Sequence, residues 1–346
     1  MPRILIVAPS WIGDALLAQP LLRRLHDKLG RVTIDALAPT WCGPLLERMP
    51  EIAEVIASPF AHGELKLRER WKLGRELAGR NYDHAIVLPN SFKSALIPFF
   101  ANIALRTGYS GELRYGLLNL VHKLDTEKLP LMAERYAQLA EKPGAELPRP
   151  LPQVRLQVDP VNTARTTARL ALDRSRPIAA FCPGAEYGPA KRWPARHFAA
   201  LARELEKRGY AVWLIGSGKD AELGEDIRAQ SDGACSNLCG QTELATAVDL
   251  LACARLVVSN DSGLMHVAAA LGKPLIALYG SSSAAHTPPL SSQAGIARIV
   301  KMDIDCSPCF ERACPLGHFK CMNDLAPARV LAEIDALVEQ AGADGE

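Results

Sequence analysis

The sequence predicts an α/β protein made of two doubly wound, Rossmann-like domains. Short continuous apolar runs, typical of parallel strands covered on both faces, alternate with helical segments in each half of the chain. Residues 142–160 contain several prolines and few apolar residues, which indicates a domain boundary. At 346 residues, the chain is long enough for two domains of roughly 150 residues each.

In the first half, strands are predicted at residues 3–8, 32–37, 52–56 and 84–88. A helix is predicted over 14–29, because Leu17, Leu21, Leu25 and Leu29 recur at helical spacing. Pro20 should kink this helix or make it restart. A surface helix is predicted within 63–80, a buried helix after Ser94, and a helix over 132–140.

In the second half, strands are predicted at 178–182, 212–215, 256–258 and 275–279. Helices are predicted at 194–208, from 220 to about 229, and at 243–254, 263–271 and 327–340. The resulting division is a first domain over 1–150, a second over 151–326, and a C-terminal segment over 327–346 that packs back on the first domain. Two similar halves facing each other predict a cleft between them.

Composition excludes several classes of protein. The net charge of +2 argues against nucleic acid as the main partner. Nine cysteines, an odd number, fit a reducing compartment better than a disulfide framework. The N-terminal stretch is too short and too soon polar for a signal peptide. We therefore expect a cytoplasmic protein, with peripheral membrane contact left open.

The segment 256–280 predicts a ligand site. It reads as a strand, a polar turn over 259–263, a helix and a second strand, and the start of a helix after a parallel strand commonly binds phosphate. The carboxylate of Asp261 would repel a diphosphate there, so a nearby cation is required. Lys191 is the candidate. The alternatives are an ordinary capped strand–turn–helix unit and a solvated loop lysine.

Two further turns, at 183–191 and 216–220, could converge with this one on a nucleotide. Asp220 or Glu222 could accept hydrogen bonds from ribose hydroxyls. Alternatively, either could be an acidic residue at a helix start that interacts favourably with the helix dipole. His266 lies one turn into the helix. It could contact the bound nucleotide, or it could be a packing residue.

The first strand is followed by Gly13 and Asp14, without the G-x-G-x-x-G pattern of nicotinamide and flavin sites. A carboxylate at this position lies where α/β domains bind ligands. It could equally be a helix N-cap.

The segment 63–80 mixes lysine and arginine with glutamate. Its cations could grip an anionic acceptor or form the solvated face of a surface helix. They are Lys66, Arg68, Arg70, Lys72 and Arg75.

Four cysteines follow one another near the C-terminus: Cys306, Cys309, Cys314 and Cys321. Their spacing resembles a structural metal site but matches no common zinc module. The alternative is a loop of free thiols. No sequence motif indicates a catalytic metal.

Several motifs together resemble the lipopolysaccharide heptosyltransferases. They are Gly13-Asp14, residues 90–94 (NSFKS), 106–109 (RTGY), 134–136 (ERY), 183–194 (PGAEYGPAKRWP), and 260–263 (NDSG) with His266. The similarity extends over nearly the whole chain.

The resemblance implies a GT-B fold and an inverting, metal-independent transfer of L-glycero-D-manno-heptose from ADP-heptose. No cofactor is implied. The acceptor would be the first heptose of heptosyl-Kdo2-lipid A, at the cytoplasmic face of the inner membrane. We expect a monomer.

Asp14 matches the family's proposed catalytic base, and Lys191 matches the lysine at the donor phosphates. Thr242 falls where a side chain borders the adenine. The predicted donor-binding residues are Gly13, Gly184, Ala185, Glu186, Lys191, Asp220, Thr242, Asp261, Ser262, Gly263 and His266. The predicted acceptor contacts are Lys66, Arg68 and Lys93.

Three alternatives remain at this stage. The first is a heptosyltransferase of the same family with a different acceptor. The second is a sugar-nucleotide epimerase on the same two-domain architecture, which would need no lipid acceptor. The third is a non-catalytic nucleotide-sugar binding protein, in which Asp14 would be dispensable.

Overall fold

The chain folds into two α/β units, residues 1–154 and 155–346. Each contains a six-stranded parallel sheet. The computed structural model describes residues 1–61, 63–291 and 295–343. In this part of the chain, no helix is both long and apolar enough to cross a membrane.

The first sheet has the strand order β3-β2-β1-β4-β5-β6. Its strands are β1 (Arg3–Val7), β2 (Thr33–Pro39), β3 (Glu54–Ser58), β4 (His84–Val87), β5 (Leu105–Tyr109) and β6 (Leu120–His122). The central strand β1 pairs with β2 on one side and β4 on the other. The chain therefore changes winding direction between β1 and β4, which is where doubly wound sheets bind ligands.

The helices of the first unit are α1 (Ile12–Leu17), α2 (Gln19–Leu29), α3 (Gly43–Leu46), α4 (Leu67–Ala78), α5 (Phe92–Phe100) and α6 (Met132–Gln138). The predicted helix over 14–29 is thus two helices. Pro20 occupies the first turn of α2, where its missing N–H costs no helical hydrogen bond, so the chain restarts there.

The second sheet has the order β12-β11-β10-β7-β8-β9. Its strands are β7 (Ile178–Cys182), β8 (Ala211–Leu214), β9 (Ser236–Asn237), β10 (Leu256–Asn260), β11 (Leu275–Tyr279) and β12 (Ala297–Lys301). Strands β7, β10 and β11 have every residue buried, as continuous apolar runs predict. The winding direction changes between β7 and β10.

The helices of the second unit are α7 (Pro160–Arg169), α8 (Ala195–Lys207), α9 (Ala221–Gln230), α10 (Leu244–Ala252), α11 (Gly263–Ala270), α12 (Lys320–Asn323) and α13 (Pro327–Ala343). The packing of residues 327–346 on the first domain stays a prediction. Within the second unit, α13 buries Val330, Ile334 and Leu337 in the hydrophobic core, and Asp335 accepts a hydrogen bond from Arg208 at 2.5 Å.

Aromatic side chains fill the core on the α8 side of the second sheet. Trp193 is fully buried, lies edge-on to Phe198 with ring centroids 4.9 Å apart, and donates its indole N–H to Leu325 O at 2.8 Å. Trp193 directly follows the loop that carries Lys191. The core therefore fixes one end of that loop.

Candidate active site

The second unit places three loops at the carboxyl edge of its sheet. They follow β7, β8 and β10, the strands on both sides of the change in winding direction. Because carboxyl ends of parallel strands meet at one edge, residues far apart in sequence come together there.

Lys191 and Asp261 form the central contact of this edge. Lys191 Nζ lies 2.5 Å from Asp261 Oδ2, and the hydroxyl of Ser282 donates to the same carboxylate oxygen. Asp261 is buried and Lys191 is half-buried. The structure thus brings together the carboxylate and the cation that the sequence predicted as partners. Ser282, in the loop after β11, was missed.

The turn after β10 leads directly into α11. Ser262 is the N-cap residue, but its side chain accepts no hydrogen bond from the first amides of this helix. Asp261 faces Lys191 instead of capping the helix. The turn at Asp261 therefore brings the ammonium of Lys191 close to the residues that begin α11, whose N-terminus is positive, a suitable arrangement for an anionic group.

Asn260 joins the two loops that carry this pair. It is fully buried, donates to Pro183 O at 2.7 Å and accepts from the backbone N–H of Trp193 at 3.1 Å. The loop over 183–193 is thereby tied at both ends to the turn that holds Asp261. Sequence reasoning had given Asn260 no role of its own, although an amide at the end of a buried strand is a signal for such bridging.

Gly184 and Asp220 are packed directly together. A Cβ added to Gly184 would lie 2.5 Å from the Asp220 carboxylate, so a larger residue would have to displace that carboxylate. Asp220 accepts hydrogen bonds from the backbone N–H and hydroxyl of Ser217, at 2.9 and 2.8 Å. Arg192 Nη2 lies 4.0 Å from Asp220 Oδ1. These contacts favour the alternative in which Asp220 is a helix-start acid, and they fasten two of the three loops to each other.

Two buried polar atoms of the predicted donor-binding residues have no hydrogen-bond partner in the described part of the chain. They are Nδ1 of His266 and Oγ1 of Thr242. Burial lowers the pKa of His266 to about 4. The Asp261 carboxylate raises this pKa by a smaller amount, and the Lys191 ammonium lowers it further. His266 is therefore a neutral imidazole near the charged pair. Unsatisfied buried groups are costly, and a bound ligand is one way of satisfying them.

Tyr187 lies beneath the cation. Lys191 Nζ is 5.1 Å from the centre of its ring, and Arg312 approaches the same ring at 5.2 Å. The tyrosine hydroxyl donates to Phe310 O at 2.8 Å. Its neighbour Glu186 is exposed and pairs with Lys219. Tyr187 is a further residue that the sequence prediction left without a role.

In the first unit, Asp14 lines a cavity of about 260 Å³. Asp14 is in the first turn of α1, whose N-cap residue is Trp11, so the N-cap alternative for Asp14 is wrong. The cavity is also lined by Trp11, Asn90, Tyr109, Leu124, Met132, Arg135 and Tyr136. Asn90 follows β4 and Asp14 follows β1, so the cavity lies where the sheet changes winding direction.

The charge of Asp14 affects two neighbouring acids. Burial, and then the Asp14 carboxylate, raise the pKa of Cys42 to about 12. The same two causes raise the pKa of Tyr136 above its usual value. Both groups therefore remain protonated near neutral pH. The sequence motif that contains Tyr136 and Arg135 was noted, but its position beside Asp14 depends on tertiary folding.

The backbone segments that carry Lys66 and Lys93, two of the predicted acceptor contacts, meet at the buried guanidinium of Arg70. This group donates to Leu65 O at 2.6 Å, to Glu64 O at 3.1 Å and to Lys93 O at 3.1 Å. Phe60 packs against it at 4.0 Å. The backbone at Lys93 and the backbone next to Lys66 therefore meet at one side chain. Arg70 itself is a structural residue, which corrects its prediction as an acceptor-gripping cation.

Lys66 and Arg68 are exposed, and Lys66 Nζ lies 2.8 Å from Glu64 Oε2. Lys93 is half-buried.

The four cysteines near the C-terminus lie close to one another, because burial and then the charges of Cys309, Cys314 and Cys306 raise the pKa of Cys321. Cys306, Cys309, Cys314 and Cys321 are free thiols. Over residues 1–61, 63–291 and 295–343, no group of three or more His, Cys, Asp or Glu side chains is arranged to hold a metal ion. The structural metal site and the loop of free thiols both remain predictions.

Residues 70–320 match the family model described as glycosyltransferase family 9 (heptosyltransferase). The chain is 48% identical to lipopolysaccharide heptosyltransferase 2 of Escherichia coli (strain K12), over 98% of this chain and 99% of the relative. It is 47% identical to the protein of the same name from Salmonella typhimurium, over 98% and 99%. The solved structure of E. coli ADP-heptose LPS heptosyltransferase II matches with a TM-score of 0.88 and 46% identity, over 99% of this chain and 100% of that one. The architecture is a GT-B fold.

Proposed function

The chain belongs to glycosyltransferase family 9, the heptosyltransferases, and we propose that it transfers L-glycero-D-manno-heptose from ADP-heptose to the first heptose of heptosyl-Kdo2-lipid A. The observation that supports this most is the near-full-length identity of 46–48% with heptosyltransferase 2 proteins. That identity favours the second heptosyl transfer over transfer to a different acceptor. It also favours a transferase over an epimerase or a non-catalytic binding protein.

Asp14 is the proposed general base. The acceptor hydroxyl attacks the anomeric carbon of the donor, the bond from that carbon to the diphosphate oxygen breaks, and Asp14 takes the hydroxyl proton. Attack opposite the departing ADP inverts the anomeric centre. A positioned base contributes about 10²–10⁴-fold to such a step. The location of Asp14 in a cavity at the carboxyl edge of the first sheet supports this assignment.

Lys191 and the first amides of α11 are the proposed stabilisers of the leaving ADP. Negative charge builds up on the β-phosphate as the bond breaks, and fixed positive groups stabilise it. Lys191 pairs with Asp261 in the structure. We infer that the diphosphate takes over Lys191 and that Asp261 then accepts hydrogen bonds from donor hydroxyls. The shared carboxylate would thus change partner when the donor binds.

The remaining donor contacts are proposed from the same edge of the second sheet. His266 and Thr242 offer buried polar atoms without partners among the described residues. Ser262 and Gly263 form the start of α11, and Gly184 with Ala185 forms the loop held against Asp220. We keep Glu186 and Gly13 as proposed donor contacts.

The proposed reaction requires no metal or cofactor, because Lys191 and the helix supply the positive charge. Turnover should therefore be the same in EDTA as in magnesium. A loss in EDTA that magnesium restores would contradict this part of the proposal.

The decisive experiment incubates the protein with ADP-heptose, with and without heptosyl-Kdo2-lipid A, and follows ADP release together with the mass of the saccharide. We expect ADP release to depend on the acceptor and the acceptor to gain one heptose. An acceptor lacking its first heptose should be inactive. Conversion of ADP-heptose in the absence of acceptor would instead indicate an epimerase.

The proposed setting is the cytoplasmic face of the inner membrane, with the protein acting as a monomer in peripheral contact with lipid. Exposed Lys66 and Arg68, with Lys93 beside them, are the proposed contacts to the phosphorylated acceptor.

A further inference from the structure

The segment leading into α4 exposes three large apolar side chains to solvent. Leu65, Leu67 and Trp71 are 49%, 50% and 55% exposed. Leu67 and Trp71 are four residues apart on α4, so their side chains are neighbours on one helix face. Together with Leu65 they make an apolar ridge that the core of the first unit does not use.

Cations run along one side of this ridge. At about 100° per residue, Arg68, Arg75 and Lys72 follow Leu67 and Trp71 around the helix. The carboxylates of Glu69 and Glu76 come next, on the side of the cations away from the ridge. The apolar side chains therefore border positive charge directly and negative charge only beyond it.

The side of the ridge away from the cations is anchored to the rest of the first unit. Arg70 clamps the backbone of the preceding segment to the backbone of α5. Gly74 packs so closely on α5 that an added Cβ would lie 2.5 Å from Phe100 Cβ. The helix that carries the exposed residues is therefore held in place by its contacts with α5 and with the segment before α4.

We define the basic–aromatic face by these exposed residues: Leu65, Leu67, Arg68, Trp71, Lys72 and Arg75. We propose that this face docks on the surface of a lipid bilayer that contains anionic lipids. The apolar ridge enters the interface between headgroups and acyl chains, and the cations contact lipid phosphates. The inference rests on the proposed function, since an acceptor that carries lipid A must be reached at a membrane.

Two features favour a bilayer over a soluble anionic saccharide as the occupant. A saccharide phosphate would be bound by the cations alone and would give no reason for three exposed apolar side chains beside them. Tryptophan is well suited to the interface of a bilayer, because its ring is apolar and its N–H is polar. The sequence of apolar, positive and negative strips around α4 matches a helix lying in that interface.

The test is vesicle flotation of the intact protein. The vesicles contain phosphatidylcholine alone, or phosphatidylcholine with phosphatidylglycerol, and no acceptor. We expect binding to the anionic vesicles that weakens at high salt. Trp71→Ser should reduce the partition coefficient by roughly tenfold or more, as expected for losing a buried aromatic side chain. Lys72→Glu should reduce binding to anionic vesicles by about fivefold or more.

Val161→Ser is the matched control, because Val161 is an apolar residue that is 78% exposed on α7 in the second unit. This variant should bind vesicles as well as the unaltered protein does. Circular dichroism verifies that each variant is folded. Failure of the unaltered protein to bind anionic vesicles, or equal binding by Trp71→Ser, would overturn the proposal. So would a dimer in sedimentation without vesicles that Trp71→Ser dissociates, since the face would then be an interface between copies.

A second readout separates this proposal from the proposed function. Transfer is measured with a lipid-free heptosyl-Kdo saccharide and with heptosyl-Kdo2-lipid A in anionic vesicles. Trp71→Ser should keep its turnover on the soluble acceptor and lose at least about tenfold on the vesicle acceptor. Equal losses on both acceptors would overturn the docking proposal. Absence of transfer by the unaltered protein would refute the proposed function, whereas the flotation result would stand by itself.

Discussion

Lys191 Nζ contacts Asp261 Oδ2 at 2.5 Å, immediately before the start of α11. The cation proposed to bind a diphosphate is thus paired with a carboxylate. Its partner is fixed as well, because Ser282 donates to the same oxygen. The ion pair holds the ammonium in position, and a diphosphate must compete with the carboxylate for it.

The first prediction concerns ADP binding and this pair. Lys191→Ala should weaken ADP binding by roughly tenfold to a hundredfold, the loss expected for a charged hydrogen bond. Asp261→Asn should strengthen ADP binding, because it removes a negative charge beside the diphosphate and frees Lys191. Isothermal titration calorimetry measures both. Lys207→Ala, an exposed lysine of the same unit, is the control. Equal affinity of Lys191→Ala and the control would leave Lys191 as a structural residue.

The second prediction concerns Asp14. Asp14→Asn should reduce kcat by about 10²–10⁴-fold, because the acceptor hydroxyl loses its base. ADP binding should remain nearly unchanged, since the proposed donor contacts other than Gly13 lie on the second unit. Steady-state transfer kinetics and calorimetry separate these effects. Asp27→Asn, an exposed carboxylate on α2, should keep full turnover. Near-normal kcat for Asp14→Asn would remove Asp14 as the base.

The strands that the sequence predicted best are those buried on both faces. The predicted ranges for β7 and β11 coincide with the observed ones, because a continuous apolar run is bounded by proline or glycine in each case. The sequence missed β12, an edge strand in which only Val300 is buried. Half-exposed edge strands carry charged residues, so their apolar pattern is weak.

Helix α7 was missed for a different reason. The prolines of residues 142–160 were interpreted together as a linker, although Asp159 and Pro160 are a strong helix-start signal. Asp159 accepts hydrogen bonds from the backbone of Val161 and Asn162, and Pro160 opens the helix.

Part of the site could be predicted from local chemistry alone. The repulsion between Asp261 and a diphosphate demanded a cation, and Lys191 is the residue that the structure places there. The bridge from Asn260 to Pro183 and Trp193 joins segments some seventy residues apart, which no local pattern encodes. The prediction of Arg70 as an exposed cation was wrong for the same reason. Its guanidinium donates a hydrogen bond to the backbone carbonyl of Lys93 on another helix, which no local pattern encodes.

The third prediction concerns the contact between Gly184 and Asp220. Gly184→Ala would force the Asp220 carboxylate away and break its hydrogen bonds to Ser217. We expect a loss of about 1–3 kcal/mol in the free energy of unfolding, together with weaker ADP binding. Gly218→Ala is the matched control from the neighbouring loop, because an added Cβ there meets no atom within 4 Å. Equal stability of the two variants in urea unfolding would contradict the packing argument.

The fourth prediction concerns acid stability and His266. Its pKa in the folded protein is about 4, below the ordinary value of 6.5. Between these two pH values the unfolded chain binds more protons than the folded protein, so the free energy of unfolding falls as the pH drops. The slope contributed by one such group is at most about 1.4 kcal/mol per pH unit. His84 has a pKa lowered to about 4 by burial and adds to the same window.

His266→Gln should therefore reduce the stability lost between pH 7 and pH 5 by roughly 1–2 kcal/mol. Urea unfolding followed by tryptophan fluorescence at both pH values measures this difference. His84→Gln, in the first unit, should reduce the loss by a similar amount because the cause is the same. A variant that loses as much stability as the unaltered protein would show that His266 is charged, or solvated, in the folded state. The proposed neutral imidazole beside Lys191 and Asp261 would then be wrong.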